Sequence, residues 1–277
     1  MQPTSPSRGI RRCWRVPGFS DAVMFHGRHD HEFMAHSHDV VTVILVTDGA
    51  VQIEIENSSY RVGTGELVVI GAHQVHAARP AAPVGWEMRS LHLPAHLLAV
   101  RRGVPANPGQ SVSFSDPVYS GSGPAASLFF DLHHCSEIDG SEDEQGDRFG
   151  SFVRWFRGNM SSFGPRTGPC HRSVDARLAR ARELIAGAVF ENTLIDSIAE
   201  EVGLSTYALI RRFKKYYGIS PHAWRMQARA NAAARLLRDK ASLVDVAGSC
   251  GFADQSHMAR IFKKVYGVTP GQYGLMH

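Results

Sequence analysis

The chain has 277 residues but only four cysteines, and these stand far apart. No two of them have CxxC spacing, so we expect neither a disulfide framework nor a zinc finger. No apolar run is long enough to cross a membrane, and the first residues lack the hydrophobic core of a secretory signal. From the sequence we therefore expect a cytoplasmic protein that does not bind a membrane.

A strong overall charge is also missing, because the formal net charge is only +4 at pH 7. The charge is unevenly divided, however. Residues 171–277 hold 16 Lys and Arg against 9 Asp and Glu, whereas the remaining residues hold 14 against 17. A basic segment of this kind suits phosphate binding by counterion release. The length predicts two domains, each with its own core.

The basic part contains one pattern twice, from Ile195 to Pro221 and from Leu243 to Pro270. In each copy, four apolar residues at i, i+3, i+4 and i+7 predict a helix, a glycine follows, and a second helix precedes Gly-x-x-Pro. The apolar residues are Ile195, Ile198, Ala199 and Val202 in the first copy and Leu243, Val246, Ala247 and Cys250 in the second. We assign helix-turn-helix motifs to about residues 194–216 and 243–265.

Local start and stop signals support these helices. The predicted end residues are Thr193 with Asp196 and Ser242 with Asp245 for the first helices, Ser205 and Asp254 for the second helices, and Gly203 and Gly251 for the turns. Between the copies, Ser220-Pro221 predicts the start of a long helix without internal Gly or Pro. Such a helix would hold the two motifs at a set separation, and successive major-groove faces lie about 34 Å apart.

The second helix of each copy carries polar residues opposite its apolar side. Arginine reads guanine, glutamine reads adenine, and an aromatic ring packs on a thymine methyl group. We predict base contacts by Tyr207, Arg211, Gln255, Ser256 and Arg260, and phosphate contacts by Lys214, Lys215, Lys263 and Lys264. The alternative is a pair of ordinary amphipathic helices with solvated faces. Two copies in one register favour double-stranded DNA as the partner.

The part before residue 160 has a different texture. Short β-branched runs separated by turn residues predict an antiparallel sandwich or small barrel. The runs are Val40–Val46, Val51–Ile55, Glu66–Ile70 and Val84–Leu93, with turns predicted at Asp48-Gly49, Asn57–Ser59 and Gly63–Gly65. Pro124–His134 and Phe149–Met160 predict amphipathic helices that either dimerise or pack within the chain. The acidic residues 136–148 predict a mobile loop.

The repeated segment resembles the AraC/XylS family of bacterial transcription regulators. The resemblance covers roughly residues 175 to 274 and is most specific at Gly251-Phe252-x-Asp254-Gln255-Ser256-His257 and Gly267-Val268-Thr269-Pro270. It implies that the second helix of each motif is the recognition helix. The order His36-x-His38, Gly65–Ile70, His76 is similar to the cupin-type effector domain of these regulators.

The predicted fold is thus α+β with two domains, a cupin-like antiparallel β-barrel with accessory helices and an all-α domain of two helix-turn-helix motifs joined by a long helix. We assign residues 1–19 to a disordered arm, 20–160 to the effector-binding and dimerisation domain, 161–172 to a linker and 173–277 to the DNA-binding domain.

Four residues are candidates for an effector pocket, namely His36, His38, His76 and Trp86. The histidines match positions at which metal-binding cupins place three imidazole ligands. Those enzymes also use a glutamate where Thr42 and Val43 stand here, and we expect neither a metal nor another cofactor. The alternative roles are hydrogen bonding at the barrel mouth for the histidines and core packing for Trp86.

The resemblance implies a sequence-specific transcription regulator without enzymatic activity, more often an activator, controlled by a small molecule in the barrel. Its expected partners are promoter DNA, the effector, RNA polymerase if it activates, and a second copy of the chain. Two alternatives stay open at this point. One is a metallo-cupin enzyme fused to a DNA-binding domain, and the other is a constitutive DNA-binding protein whose barrel serves as a dimerisation platform.

Overall fold

The computed structural model describes residues 9–55, 58–98, 112–119, 124–138, 140–159, 165–167, 175–191 and 193–275. The strands are β1 (Gly9–Val16), β2 (Phe19–His29), β3 (Phe33–His36), β4 (Val41–Ile55), β5 (Ser58–Gly63), β6 (Leu67–Ile70), β7 (His76–Pro80), β8 (Trp86–Leu93), β9 (Val112–Phe114), β10 (Val118–Tyr119) and β11 (Pro165–Thr167). The helices are α1 (Ala95–Leu98), α2 (Ala125–Glu137), α3 (Glu142–Asn159), α4 (Ala176–Gly187), α5 (Ile195–Glu201), α6 (Thr206–Tyr217), α7 (Pro221–Arg238), α8 (Leu243–Ser249), α9 (Gln255–Tyr266) and α10 (Pro270–Gly274).

The chain divides into two compact units. The N-terminal unit comprises residues 1–32, 39–169 and 276–277, and the C-terminal unit comprises residues 33–38 and 170–275. The first is rich in strands with accessory helices, and the second is built mainly of helices, which confirms the predicted fold class. Residues 33–38, which the sequence predicted to be part of the effector domain, group with the C-terminal unit.

The N-terminal unit is organised around the long strand β4. An open sheet has the order β1-β2-β8-β4-β6-β10, and β5 and β7 pair with the last part of β4. These pairings are antiparallel. The predicted turn at Asp48-Gly49 is wrong, because β4 continues through it with a bulge after Val46. Gly49 has φ +75°, and a Cβ atom there would lie 2.5 Å from the carbonyl oxygen of Gly85, so both conformation and space require glycine.

Helices α2 and α3 cover the apolar face of the open sheet. Their inward residues, among them Phe129 and Phe152 with ring centroids 5.1 Å apart, join strand residues such as Val43 and Leu91 in one buried cluster. The predicted helices are confirmed, although α3 is longer than expected. The predicted acidic loop at 136–148 is wrong, because three of its carboxylates occupy the first turn of α3, where they favour the helix dipole.

The predicted disordered arm also needs correction. Residues Gly9–Val16 form β1, which pairs with β2. Trp14 is buried, and its Nε1 donates a hydrogen bond to the hydroxyl oxygen of Ser136 at 2.6 Å. Residues 1–8 lie outside the described part. Within the predicted linker, residues Pro165–Thr167 form β11, which pairs with β9, and the rest of the linker is not described.

In the C-terminal unit, α5 with α6 and α8 with α9 are the two predicted motifs, and α7 is the predicted long helix. Side-chain caps are present as predicted at Ser205, Ser220, Ser242 and Asp254. Helix α5 lacks the predicted cap by Thr193 and Asp196, because its N-cap is Leu194, which makes no side-chain hydrogen bond. Asp196 instead accepts a hydrogen bond from the hydroxyl of Thr206 at 2.9 Å. Gly203 and Gly251 adopt the expected left-handed conformation, with φ of +68° and +72°.

Candidate nucleic-acid interface and candidate ligand residues

Helices α6 and α9 are amphipathic in the same way. Leu209 and Phe213 in α6, like Met258 and Phe262 in α9, are fully buried. All residues predicted to contact DNA are exposed on the other side: Tyr207, Arg211, Lys214, Lys215, Gln255, Ser256, Arg260, Lys263 and Lys264. The two helices therefore present the predicted residues to solvent, and the DNA contacts themselves stay predictions.

The exposed face of α6 contains an aromatic–cation pair. Tyr207 is 75% exposed, and the guanidinium carbon of Arg211 lies 6.0 Å from the centre of its ring. This contact orients the side chain that is predicted to read a base. The adjacent Arg212 is used differently, because its Nη1 lies 3.5 Å from a carboxylate oxygen of Asp175 at the start of α4.

The exposed face of α9 begins at a well-formed cap. Asp254 accepts a hydrogen bond from the backbone N–H of His257 at 2.7 Å. The His257 ring packs edge-on against Phe252, with ring centroids 5.6 Å apart, which agrees with a structural role for this histidine. Gln255 and Ser256 form the first turn, and Arg260 follows one turn later on the same side.

Two buried arginines of α7 connect the motifs, and sequence reasoning missed both. Arg229 is 3% exposed, and its guanidinium donates to the carbonyl oxygens of Val189 at 2.7 Å, Glu191 at 2.8 Å and Gly251. Gly251 lies in the turn of the second motif, whereas the other two carbonyls precede the first motif. One side chain thus joins the turn of the second motif to the segment that leads into the first motif.

Arg225, one turn earlier on α7, donates to the carbonyl oxygen of Thr193 at 2.6 Å. Burial lowers the pKa of both Arg225 and Arg229. The available signal was the presence of four arginines in a helix otherwise rich in alanine, of which Arg225 and Arg229 are buried. Their acceptors are backbone carbonyls about 22 to 40 residues away in the chain, as for Arg229 with Gly251 and Val189, and local spacing does not reveal such contacts.

Gly251 is doubly constrained by this arrangement. Its φ of +72° disfavours any residue with a side chain, and a Cβ atom would lie 2.5 Å from the carbonyl oxygen of Phe190 and 3.0 Å from the guanidinium carbon of Arg229. Gly203, its counterpart in the first motif, has φ +68° but has open space around the same position. The repeat therefore has one turn that is packed and one that is not.

The segment 33–38 is held by α7 within the C-terminal unit. The backbone N–H of Ser37 donates to the side-chain oxygen of Gln227 at 3.0 Å, and Nε2 of Gln227 donates to the carbonyl oxygen of Ala35 at 3.2 Å. The imidazole of His38 lies 5.3 Å from the Tyr266 ring of α9. Gln227 thus makes strand-like hydrogen bonds to the segment, and sequence reasoning missed this role as well.

The predicted pocket residues are divided between the two units. His36 and His38 belong to the C-terminal unit, with ring centroids 5.0 Å apart, and burial lowers the pKa of His36 to about 4. His76 and Trp86 belong to the N-terminal unit. Trp86 is 1% exposed and its ring centroid lies 5.6 Å from that of His29, and its role in an effector pocket stays a prediction. His36 and His38 place two imidazoles, which are common metal ligands, on one segment. Thr42 and Val43 stand where metal-binding cupins have a glutamate ligand, and neither provides a carboxylate.

A polar network joins α2 to the sheet of the N-terminal unit. Both ring nitrogens of His26 face carboxylates, Glu137 at 2.7 Å and Glu87 at 2.8 Å, so both contacts are hydrogen bonds only when each nitrogen carries a proton. Arg89 donates to Glu137 at 2.6 Å. Burial alone would raise the pKa of Glu137, but the hydrogen bonds from His26 and Arg89 outweigh it and hold that pKa at about 2.

His133 extends this network into the core. It is fully buried on α2, and its Nε2 donates to the carbonyl oxygen of Ser90 while its Nδ1 accepts from Arg89, both at 3.1 Å. Burial lowers the pKa of His133 to about 3, and the nearby positive charge of Arg89 adds to this. The ring is therefore neutral at physiological pH. The network draws its members from β2, β8 and α2, which are far apart in the chain.

An open cleft of about 670 Å³ lies in the N-terminal unit between the β1–β2 turn and the start of α3. Its lining residues are Pro17, Gly18, Phe19, Glu142, Asp143, Gly146 and Asp147. None of the predicted pocket residues lines it, and three carboxylates give it a negative character. No helix in the described ranges combines the length and hydropathy needed to span a membrane.

Two family models match the chain. One, described as an AraC-like ligand binding domain, matches residues 22–155, and the other, described as a helix-turn-helix domain, matches residues 198–275. The first coincides with most of the N-terminal unit, and the second spans most of α5 through α10. The two matches are separate in sequence, and residues 33–38 fall within the first match although they group with the C-terminal unit.

Curated relatives match part of the chain. The HTH-type transcriptional regulator MtrA of Neisseria gonorrhoeae is 35% identical over 100 residues, which are 36% of this chain and 33% of that protein. The transcriptional activator NphR of a Rhodococcus species is 34% identical over 109 residues, which are 39% of this chain and 32% of that protein. The chain therefore matches about a third of the length of these relatives.

Among solved structures, ToxT from Vibrio cholerae strain SCE256, crystallised with an unsaturated fatty acid, covers 92% of this chain and 94% of its own. The TM-score is 0.54 and the sequence identity 12%. A second structure, of an apo ToxT variant from the same strain, gives the same TM-score and covers 97% of its own chain. This likeness shows a shared fold that includes both units.

Proposed function

Because the chain belongs to the AraC/XylS family of transcription regulators, we propose that it is a sequence-specific DNA-binding regulator whose two motifs lie in neighbouring major grooves of one operator. It acts by binding and not as an enzyme. The observation that carries the proposal is the pair of capped, exposed and basic helices α6 and α9. An ordinary amphipathic surface would not need two copies in one register.

The residues divide by role in this proposal. Arg211 and Arg260 read guanines, Gln255 reads an adenine, and the lysines at the end of each recognition helix bind phosphates. Base readers set sequence preference, whereas phosphate contacts strengthen binding to every sequence. The chain thus has distinct residues for specificity and for general affinity.

The test is selection of binding sites by the full chain from random double-stranded DNA, followed by affinity measurements on the selected site. We expect the Arg260→Ala variant to lose sequence preference at one base pair. The Lys263→Ala variant should lose affinity for selected and scrambled DNA by the same factor. Equal losses on selected and scrambled DNA for Arg260→Ala would refute its assignment as a base reader. A wild-type chain that selects no sequence would overturn the proposal as a whole.

A small molecule in the N-terminal unit controls DNA binding in this proposal. The support is the match of residues 22–155 to a ligand-binding domain and the fold shared with ToxT, whose structure holds an unsaturated fatty acid. Such control requires the effector to bind one arrangement of the chain better than another. Thermal unfolding of the full chain against a panel of metabolites tests this, because a true effector raises the melting temperature.

The remaining partners follow from the same family. The similar protein NphR is named a transcriptional activator, and we propose activation, with RNA polymerase as the partner at the promoter. A homodimer through the N-terminal unit and a cytoplasmic location, where a bacterial operator lies, are parts of the proposal. Analytical ultracentrifugation with and without operator DNA tests the dimer, and transcription in a purified system tests activation.

A further inference from the structure

The two recognition helices are equivalent in position but not in chemistry. At an offset of 49 residues, Arg211 aligns with Arg260 and Lys214 with Lys263, so these charges repeat. Other positions differ, among them Thr206, which aligns with Gln255, Tyr207, which aligns with Ser256, and Ile210, which aligns with Ala259. At the last two of these positions the first helix is thus apolar where the second is small or polar.

Ile210 is unexplained by packing in the described structure. It is 40% exposed, whereas its neighbour Leu209 is fully buried. The core of the first motif is formed by residues of α4, α5 and α6, and Ile210 is neither among its buried members nor among the partly buried residues packed against them. A single exposed isoleucine is ordinary on a protein surface, but together with Tyr207, which is 75% exposed, it gives apolar area to a helix that carries predicted base readers.

Helical geometry places Ile210 at one edge of the reading face. Tyr207, Ile210, Arg211 and Lys214 stand at i, i+3, i+4 and i+7, so their side chains lie within one stripe. At 3.6 residues per turn, Lys214 and Tyr207 lie between Ile210 and Arg211 around the helix, so Ile210 borders the exposed tyrosine and a phosphate-contacting lysine. The only apolar group that a base pair presents in the major groove is the C5-methyl group of thymine.

We propose that Tyr207 and Ile210 form a thymine-methyl contact surface, so that the half-site bound by α6 contains thymine next to the guanine read by Arg211. The half-site bound by α9 has no such requirement, because Ser256 and Ala259 offer little apolar area at the same positions. The operator is then asymmetric, and one chain binds it in one orientation. This inference rests on the proposed function and specifies the DNA that the site takes.

The experiment removes single methyl groups from the DNA. A selected operator is synthesised with deoxyuridine in place of thymine in one half-site at a time, which keeps base pairing and deletes only the C5-methyl group. The half-site of α9 is identified as the one whose sequence preference is relaxed by Arg260→Ala. Affinity of the full wild-type chain is then measured at one salt concentration.

We expect each contacted methyl group in the α6 half-site to contribute about fourfold in affinity, because burying one such group gains roughly that factor. Deoxyuridine in the α9 half-site should change affinity by less than about twofold. Ile210→Ala should weaken binding to the thymine operator to a similar degree and should show no further loss on the deoxyuridine operator. Val244→Ala removes another exposed aliphatic residue, 70% exposed on α8, and should change neither value.

The outcomes separate this inference from the proposed function. If the wild-type chain selects a sequence but binds the deoxyuridine and thymine operators equally, the methyl contact is refuted while DNA recognition stands. If the Ile210→Ala variant binds both operators as the wild type does but fails to activate transcription, the residue contacts a protein instead, and the inference is overturned. Because the deoxyuridine arm uses the wild-type chain, it is decisive even if the variant does not fold.

Discussion

The buried guanidinium of Arg229 makes the sharpest prediction about the C-terminal unit. Replacing it by methionine keeps the volume roughly constant but removes the donors to three carbonyl oxygens, those of Val189, Glu191 and Gly251. A hydrogen bond to a charged group contributes about 1.5–3 kcal/mol, and a buried carbonyl left without a partner costs about 1–3 kcal/mol. Glu191 is exposed, so water replaces the lost donor at its carbonyl oxygen. The half-buried carbonyls of Val189 and Gly251 are left without a donor. We therefore expect a loss of about 3 kcal/mol in the free energy of unfolding of this unit.

Hydrogen exchange read by mass spectrometry measures this loss locally, since a chain with two units does not unfold in one step. Peptides from α7 to α9 should exchange on the order of a hundredfold faster in Arg229→Met than in the wild type. The matched control is Arg212→Met, which removes the exposed ion pair between Arg212 and Asp175, whose nitrogen and oxygen lie 3.5 Å apart. This variant should lose less than about 1 kcal/mol in the free energy of unfolding. Equal exchange in the two variants would refute the structural role assigned to Arg229.

Three further predictions test the interface, the N-terminal unit and the turns. Arg260→Ala should cost about 1–3 kcal/mol on the selected operator and relax one base pair, whereas Lys263→Ala should lower the salt slope of binding by about 1, both measured by fluorescence anisotropy. The pKa of His133 is about 3 in the folded state against an ordinary value near 6.5, so the unfolded state takes up the proton first as the pH falls. Between those two values, His133 should lower the free energy of unfolding of the N-terminal unit by about 1.4 kcal/mol per pH unit. A His133→Asn variant with the same slope against pH in urea unfolding would contradict this. Gly203→Ala should cost about 1 kcal/mol through its positive φ alone, and Gly251→Ala clearly more because a backbone oxygen occupies the space; equal melting temperatures for the two variants would count against the packed turn.

The helical unit was predictable because its signals are local. The apolar spacing of α5 and α8, the caps at Ser205 and Ser242, and the turn glycines each lie within a few residues of the structure they determine. The cap predicted for α5 is the exception. Thr193 with Asp196 has the spacing of a capping box, but Asp196 accepts from Thr206 ten residues away, and that competing partner does not show in the local pattern.

The N-terminal unit is harder to predict because its decisive contacts are distant in the chain. Asp48-Gly49 has the composition of a hairpin turn, yet β4 runs straight on because β8 pairs along it and Gly85 occupies the space beside Gly49. The acidic run before Phe149 has the composition of a loop, although carboxylates are equally suited to the first turn of a helix. Composition does not distinguish the two.

The candidate sites show the same division. Exposure of the recognition-helix residues followed from helical periodicity, since one buried stripe determines the opposite face. The unit to which His36 and His38 belong could not be predicted from the sequence, because a resemblance at these two residues does not tell which unit their segment joins. Arg229 and Gln227 act entirely through contacts with backbone groups of distant residues, so no spacing rule finds them.

The central claim is that two cationic recognition helices of one chain read one operator together. The most direct measurement is the ratio of affinities of the full chain for its selected site and for a scrambled duplex of the same length and composition, at moderate salt. Reading of one operator by both helices should give a ratio on the order of a thousandfold or more. Equal affinity for the two duplexes would contradict it.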